Sequence, residues 1–199
     1  GVSLQKFNKK KIFFESKYNL KDSFNILFLG RLTKEKGIFD VIKIFKLLDI
    51  KNKKLIFIGG FDKTSFSKIN DNKIFNYPGI VMAGHIKDPH QIYLKSDIFI
   101  LPSYTEGMPT TLMEAMRFGL PTVSYKIAGV EDIIKKDING GLVKVGDYIA
   151  MMNKIKQISN NAVYKRNLIF NGIKLSKKFD RMNVVKKILN VYNEYSLKI

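Results

Sequence analysis

The sequence contains no cysteine and no long apolar run. Without cysteine the chain can form neither a disulfide nor a thiolate metal site, and this composition suits a reducing compartment. No run approaches the roughly 18 apolar residues that a membrane-spanning helix needs, and the N-terminal stretch GVSLQKFNKKK has no apolar segment behind its charges. We therefore expect neither a signal peptide nor a membrane anchor. We also expect a cytoplasmic location.

Several sequence signatures of nucleotide and hydrolase chemistry are also missing. The stretch Gly59-Gly60-Phe61 is not G-x-G-x-x-G, and neither G-x-x-x-x-G-K-[ST] nor G-x-S-x-G occurs. No group of His, Asp and Glu residues has metal-ligand spacing. Kinase-like NTPases and typical NAD enzymes are therefore disfavoured, and we predict no metal site.

Acidic residues are few: 17 Asp and Glu stand against 35 Lys and Arg, which gives a net charge of +18. Such a charge favours attraction to polyanions, namely nucleic acid, anionic lipid or phosphorylated substrates. Most of the lysines are scattered singly, as expected of solvated helix faces. This ordinary interpretation is favoured over a dedicated polyanion surface.

The 199 residues, 45% of them apolar, predict one globular domain with a substantial core. Residues 1–23 are polar and lysine-rich and are interpreted as a linker or docking segment before a domain at 24–199. Short β-prone runs predict strands at 24–30, 54–58, 80–83, 98–101, 121–125 and 141–145. Helical periodicity and capping signals predict helices at 37–48, 89–95, 110–118, 130–136, 148–158, 162–177 and 182–197. The polar segment 61–76 has room for one more.

Strands that alternate with helices predict an α/β fold: a Rossmann-like, doubly wound parallel sheet of about six strands with helices on both faces. Ligands of such sheets bind beyond the carboxyl ends of the strands. The unusual loops of this sequence all follow predicted strands: Gly30-Arg31, Gly59-Gly60, Gly84-His85 and Thr105–Pro109. We therefore expect a single ligand site that gathers them.

The stretch 101–114, LPSYTEGMPTTLME, joins a predicted strand to a predicted helix through a tight loop. A helix start carries unpaired N–H groups and about half a positive charge, so it attracts anions such as phosphate. Glu106 and Glu114 bracket this start, and Arg31 and Lys36 flank a neighbouring glycine turn. Two cations and one helix dipole suit a diphosphate.

Several motifs in the chain resemble those of the retaining nucleotide-sugar glycosyltransferases of family 4, also called group 1. They are Gly30-Arg31-Leu32-(x)3-Lys36-Gly37, Glu106-Gly107-Met108-Pro109-(x)4-Glu114 and Gly119-Leu120-Pro121-Thr122-Val123. Two further stretches are similar to family motifs. They are Ala128-Gly129-(x)2-Asp132, where the family usually has Gly-Gly-x-x-Glu, and Asn139-Gly140-Gly141-Leu142-Val143. Even Gly1-Val2-Ser3-(x)3-Phe7 is similar to the element with which the second domain of such enzymes begins. The resemblance covers essentially the whole chain.

This resemblance implies the C-terminal, donor-binding half of a GT-B fold, in which a separate N-terminal domain binds most of the acceptor. It assigns Arg31 and Lys36 to the donor diphosphate and Glu106 to the transferred sugar, and these three are the expected catalytic residues. A solvated loop lysine at 36, and a carboxylate placed only to favour a helix start at 106, are the alternatives.

The same resemblance implies a set of donor-binding residues: Gly30, His85, Ile86, Gly107, Met108, Pro109, Thr110 and Glu114. Glu114 would hold the ribose hydroxyls, although Thr111 and Glu114 also fit a capping box. The backbone around His85 and Ile86 would contact the nucleotide base, and neither His85 nor His90 is expected to act as a general base. Met108 departs from the bulky aromatic residue common in the family, which weakens the prediction of sugar packing there.

The function implied is transfer of a hexose-type sugar, with retention, from a nucleotide-diphosphate sugar to a glycan or lipid-linked acceptor. We expect a UDP-linked donor, no cofactor and no metal. The expected partners are that donor, the N-terminal acceptor domain and an anionic membrane surface at its cytoplasmic side, with no nucleic acid. Alternatives are a UDP-sugar epimerase, which needs further acid and base residues, and a non-enzymatic basic module that binds nucleic acid.

Overall fold

The computed structural model describes residues 17–61 and 75–196 and contains a six-stranded parallel sheet. The strands are β1 (Phe24–Leu29), β2 (Lys53–Ile58), β3 (Ile80–Gly84), β4 (Ile98–Leu101), β5 (Thr122–Tyr125) and β6 (Gly141–Val143). Their order across the sheet is β3-β2-β1-β4-β5-β6, and each neighbouring pair is parallel. The predicted α/β fold and its six strands are confirmed, although β6 ends two residues earlier than predicted.

Six helices flank the sheet within the described ranges. They are α1 (Ile38–Leu47), α2 (His90–Tyr93), α3 (Thr110–Arg117), α4 (Tyr148–Asn160), α5 (Ala162–Ser176) and α6 (Arg181–Ser196), with short 3-10 turns at Lys34–Lys36 and Lys177–Phe179. The predicted cap of α4 is confirmed, because Asp147 Oδ1 accepts a hydrogen bond from Ala150 N at 2.8 Å. None of these helices is both long and apolar enough to span a bilayer. The additional helix considered within 61–76 falls largely on residues outside the described ranges.

The helix predicted at 130–136 is wrong, because this segment forms hydrogen-bonded turns. The buried side chain of Asn139 takes over the backbone groups that a helix would pair internally. Its Nδ2 donates to Ile133 O at 2.9 Å, and its Oδ1 accepts from Lys135 N at 2.7 Å. Asp137 then adopts φ 60°, which no continuing helix permits.

Alternating side chains of the central strands face two separate layers of core. In β4, Ile98 and Ile100 belong to the layer that α1 and α4 cover, whereas Phe99 and Leu101 belong to the layer beneath α2 and α3. A strand buried on both faces explains why this stretch is a continuous apolar run. Helices therefore lie on both faces of the sheet, as predicted.

Part of the predicted linker packs against the sheet. Leu20 is buried, and its carbonyl accepts a hydrogen bond from Asn25 Nδ2 at 2.9 Å. Residues 1–16 of that segment lie outside the described ranges.

The order of strands reverses at β1, which has β2 on one side and β4 on the other. The loop after β1 leads to α1 on one face, and the loop after β4 leads to α3 on the other. A crevice forms at such a reversal because the two loops diverge from adjacent strand ends. The site predicted from the sequence lies there.

Candidate functional site

Two of the three predicted catalytic residues contact each other at this crevice. Lys36, from the loop after β1, places Nζ 2.7 Å from Glu106 Oε1, in the loop after β4. The same ammonium donates to Thr105 O at 3.2 Å, and Ser103 Oγ donates to Glu106 Oε1 at 2.8 Å. Both charged side chains are mostly buried, with 18% and 15% of their surface exposed. The side chain of Lys36 therefore lies in the crevice, where it is paired, and does not extend into solvent.

Three glycines let backbone segments approach closely around the pair. Gly37 has φ 74°, and a Cβ there would lie 2.1 Å from Pro102 O. Gly129 has φ 78°, and its Cβ would lie 2.1 Å from Gly107 O. Gly59, at the end of β2, approaches Gly30 O in the same way. No side chain fits at these positions, so the glycines fix the separation of the loops that carry Lys36 and Glu106.

A cavity of about 140 Å³ lies between the two loops. At about 30 Å³ per water it has room for a few water molecules or a phosphate group. It gathers six of the predicted residues: Gly30, Lys36, Glu106, Met108, Pro109 and Thr110. Its remaining lining residues are Phe28, Leu29, Leu101, Ser103 and Thr111.

Helix α3 begins at this cavity without a side-chain cap. Pro109 occupies the N-cap position, and Leu112 N and Met113 N turn back to Pro109 O at 3.1 and 3.4 Å. Within the part of the chain that the structure describes, the backbone N–H groups of Thr110 and Thr111 have no acceptor. Together with the ammonium of Lys36, they make the cavity suited to an anion.

Glu114 lies one turn further along α3, outside the described lining of the cavity. Its Oε2 accepts a hydrogen bond from Tyr93 OH at 3.0 Å. Burial, and then the charge of Glu114, raise the pKa of the Tyr93 hydroxyl well above its usual range, so the hydroxyl remains a donor. The capping box considered for Thr111 and Glu114 is wrong, because Thr111 already lies inside the helix and a tyrosine orients the carboxylate.

The other predicted residues lie at the same edge of the sheet but do not line the cavity within the described ranges. Arg31 is an exposed residue of the loop after β1, and Gly107 is exposed at the tip of the loop after β4. His85 is exposed and Ile86 is half-buried after β3, whose end joins β2 through a hydrogen bond from Gly59 N to Gly84 O at 2.9 Å.

His90 is not among the described lining residues of the cavity. Its Nδ1 lies 2.8 Å from Asp88 Oδ1, and its ring contacts that of Phe118 with centroids 4.9 Å apart.

Two larger clefts lie elsewhere on the described surface. One of about 1040 Å³ runs beside the edge strand β6 and is lined by several lysines, among them Lys126, Lys136 and Lys144. The other, of about 600 Å³, lies over the first turn of α1 and includes Asp40 and Tyr104. The cleft over α1 also lies at a helix start without a side-chain cap, but the carboxylates of Glu35 and Asp40 line it. The smaller cavity joins an uncapped helix start to the ammonium of Lys36 at the carboxyl ends of the strands, so it is the stronger candidate for phosphate. Among the described residues, no three His, Cys, Asp or Glu side chains cluster as metal ligands.

The family model of the glycosyl transferases group 1 matches residues 8–175. The chain belongs to the glycosyl transferases group 1 family. The resemblance to the group 1 glycosyltransferases found in the sequence motifs is therefore confirmed at the level of the family.

Curated relatives of this group 1 chain are glycosyltransferases. The capsular polysaccharide biosynthesis glycosyltransferase CapM of Staphylococcus aureus is 28% identical over 201 residues, which cover 98% of this chain and 53% of the relative. The UDP-Gal:alpha-D-GlcNAc-diphosphoundecaprenol alpha-1,3-galactosyltransferase of Escherichia coli is 26% identical, over 92% of this chain and 51% of the relative. The chain thus spans about half the length of these curated relatives.

Solved structures agree with the group 1 assignment at the level of the fold. HepE of Anabaena, solved in complex with UDP-glucose, has a TM-score of 0.82 at 18% identity, over 90% of this chain and 51% of that one. The C-terminal domain of LpcC, a group 1 protein of Francisella tularensis, has a TM-score of 0.72 at 22% identity, over 91% of this chain and 100% of that domain. The fold is Rossmann-like and corresponds to about half of the HepE chain.

Sequence reasoning missed the residues that support the site. Tyr93 orients Glu114, Ser103 holds Glu106, and Asp40 joins Tyr104 and Tyr125. Ser103 and Glu106 are three positions apart in one loop, whereas the other contacts join segments that only the sheet brings together, so no spacing in the sequence pairs them.

Proposed function

We propose that this chain is the donor-binding domain of a retaining glycosyltransferase that transfers a hexose-type sugar from a UDP-sugar. The observation that carries the proposal is the Lys36–Glu106 pair beside the uncapped start of α3, at the reversal of strand order. A cation and two unpaired N–H groups suit the phosphates of the donor, and a carboxylate next to them suits sugar hydroxyls.

In this proposal the positive groups stabilise the leaving nucleotide. The bond between the anomeric carbon and the donor phosphate oxygen breaks, and the phosphate leaves with the electron pair. The acceptor hydroxyl oxygen forms the new bond on the same face, and its proton passes to the departing phosphate. The negative charge that develops on the phosphate is then stabilised by Lys36, Arg31 and the start of α3. Electrostatic stabilisation of this kind is usually the largest catalytic contribution.

The two glutamates have separate roles. Glu106, which Ser103 holds at 2.8 Å, contacts the transferred sugar. Glu114, which Tyr93 orients, accepts hydrogen bonds from the ribose hydroxyls. The backbone of Gly107, Met108 and Thr110 lies along the diphosphate and the sugar, whereas His85 and Ile86 lie toward the base. No metal is required in this scheme, because the protein itself supplies the compensating charge.

The relatives support the choice of donor and acceptor class. The galactosyltransferase of Escherichia coli carries UDP-Gal and a diphosphoundecaprenol acceptor in its name, and HepE was solved with UDP-glucose. CapM acts in capsular polysaccharide biosynthesis. We infer a lipid-linked or glycan acceptor in polysaccharide biosynthesis, and the net charge of +18 suits an enzyme that works against an anionic membrane at its cytoplasmic side.

We infer that a second domain completes the site, and the small size of the cavity supports this inference. A volume of about 140 Å³ is below the roughly 300–1,000 Å³ of pockets that enclose a whole small molecule. The chain spans about half the length of its curated relatives, which is compatible with a separate acceptor domain in this proposal. We expect no sugar transfer by these 199 residues alone. Robust transfer would contradict the proposal that donor and acceptor are bound by separate domains.

The proposal is tested by titrating UDP, 2′-deoxy-UDP, GDP and a short DNA duplex at two salt concentrations. We expect UDP to bind in the micromolar range with little salt dependence. In Glu114→Ala the preference for UDP over 2′-deoxy-UDP should disappear, because the ribose partner is gone. Glu131→Ala, which removes an exposed carboxylate paired with Lys126, is the matched control. DNA binding that falls steeply with salt and ignores Glu114 would sink the proposal.

A further inference from the structure

The loop after β1, residues 30–37, is here named the phosphate loop, and the loop after β4, residues 102–109, the sugar loop. The two loops are joined at several points besides the Lys36–Glu106 pair. Tyr104 N donates to Glu35 O at 2.8 Å, which links the two loops backbone to backbone. Tyr104 also extends its side chain over the first turn of α1, where its hydroxyl donates to Asp40 Oδ2 at 2.7 Å. Tyr104, which is two positions before Glu106, therefore contacts both the loop and the helix that follow β1.

Asp40 is an unusual residue for the place it occupies. It is 7% exposed, and within the described ranges no ion pair joins it to a lysine or arginine. Its Oδ2 instead accepts a second hydrogen bond, from Tyr125 OH at 2.8 Å. A buried carboxylate costs several kcal/mol unless polar partners compensate it, so the two hydroxyls account for its presence there.

Both hydroxyls stay protonated at neutral pH. Burial first, and then the hydrogen bond to Asp40, raise the pKa of Tyr125 well above its usual range. The hydrogen bond to Asp40 is the main cause of the raised pKa of Tyr104. The rings of the two tyrosines meet edge to face with centroids 5.7 Å apart. Tyr125 ends β5, so the carboxylate ties the sugar loop to the rigid sheet as well as to α1.

We propose that Asp40 is a positioning residue, which acts through the Tyr104 hydroxyl to keep Glu106 within reach of Lys36 and so sets the geometry of the diphosphate site. This inference rests on the proposed function. Without the Asp40–Tyr104 hydrogen bond the sugar loop still folds, because its backbone link to Glu35 and the Gly37–Pro102 contact remain. The loop is then held less rigidly, and small displacements at reacting centres have large effects.

The test compares two ligands that differ only in their phosphates. Uridine occupies the ribose and base region near Glu114, whereas UDP also reaches Lys36. We expect Tyr104→Phe to weaken UDP binding about 5- to 10-fold and to leave uridine binding unchanged, as measured by calorimetry and by chemical-shift titration. Asp40 keeps its hydrogen bond from Tyr125, so loss of the Tyr104 hydroxyl should lower the melting temperature by only a few degrees and leave the protein folded.

The chain offers a matched control. Tyr164 OH donates to Asp137 Oδ1 at 2.5 Å, on a part of the surface that does not line the cavity. Tyr164→Phe therefore removes a tyrosine–carboxylate hydrogen bond of the same kind and should affect neither ligand. In a double-mutant cycle, Asp40→Asn combined with Tyr104→Phe should lose no more UDP affinity than the larger single change, because one acts through the other.

The outcomes separate this inference from the proposed function. If the unaltered chain binds UDP in a Glu114-dependent way but Tyr104→Phe leaves UDP affinity unchanged, or weakens uridine equally, the positioning role is wrong. Additive losses in the double variant would also overturn it. If the unaltered chain binds neither UDP nor uridine, the proposed function fails and this inference fails with it. If Asp40→Asn does not fold, the UDP and uridine affinities of Tyr104→Phe decide the positioning role by themselves.

Discussion

The ammonium of Lys36 lies 2.7 Å from Glu106 Oε1, although the two residues follow different strands of the sheet. The sequence motifs assign these residues to different parts of one donor, the diphosphate and the sugar. Their contact brings a cation and a carboxylate together where the loops after β1 and β4 meet. The pair also keeps each charge compensated in a mostly buried site.

Lys36→Ala should weaken the binding of UDP far more than that of UMP. A hydrogen bond to a charged group contributes about 1.5–3 kcal/mol, which corresponds to a loss of roughly 10- to 100-fold. Calorimetric titration of both nucleotides measures the difference that the second phosphate makes. Lys34→Ala is the control, since Lys34 belongs to the same loop but lines the separate cleft over α1. Equal losses for UMP and UDP in Lys36→Ala would show that Lys36 does not contact the diphosphate.

Gly129→Ala should both destabilise the protein and damage the site. The residue has φ 78°, and an added Cβ would lie 2.1 Å from Gly107 O, so the loop that carries Glu106 has to move. We expect a loss of about 2 kcal/mol or more in the free energy of unfolding, with weaker UDP binding in the fraction that folds. Gly60→Ala is the control, because an added Cβ there meets nothing within 4 Å. Unchanged UDP affinity in folded Gly129→Ala would show that the loop position is not critical.

Asp137 should stabilise the fold in a pH-dependent way. Burial alone would raise its pKa, but hydrogen bonds from Lys154 and Tyr164 and the nearby charges of Lys154 and Lys136 outweigh this and lower it. A carboxyl group whose pKa is lower in the folded protein stabilises the fold above its unfolded pKa of about 3.9, and the effect is lost as pH falls through the folded value.

Asp137→Asn should therefore cost about 1 kcal/mol of unfolding free energy at pH 7, a modest figure because 43% of the side chain is exposed. The cost should stay constant between about pH 5 and 8 and shrink below about pH 4. Urea denaturation of both proteins at a series of pH values measures it. A difference that persists unchanged at pH 3 would mean that charge plays no part.

Strands and their connections could be predicted because each depends on a local pattern. The run at β4 is apolar throughout, which is typical of a strand covered on both faces, and the structure covers it on both faces. The alternation of strands and helices predicted that the loops carrying Lys36 and Glu106 share one edge of the sheet. The reversal of strand order at β1, which brings the two side chains into contact, was decided by the tertiary structure. The helix predicted at 130–136 failed because Asn139, beyond its end, supplies the competing hydrogen bonds.

The sequence by itself determined the family, the parallel sheet, and the glycine turn and helix start that suit phosphate, because backbone chemistry and spacing encode these features locally. Tertiary structure alone decided how the side chains are paired. Glu114 is held by Tyr93 instead of capping its own helix, and Asp40 is buried under Tyr104 and Tyr125. Each of these contacts joins segments that are far apart along the chain, and only the order of strands across the sheet brings their side chains within hydrogen-bonding distance.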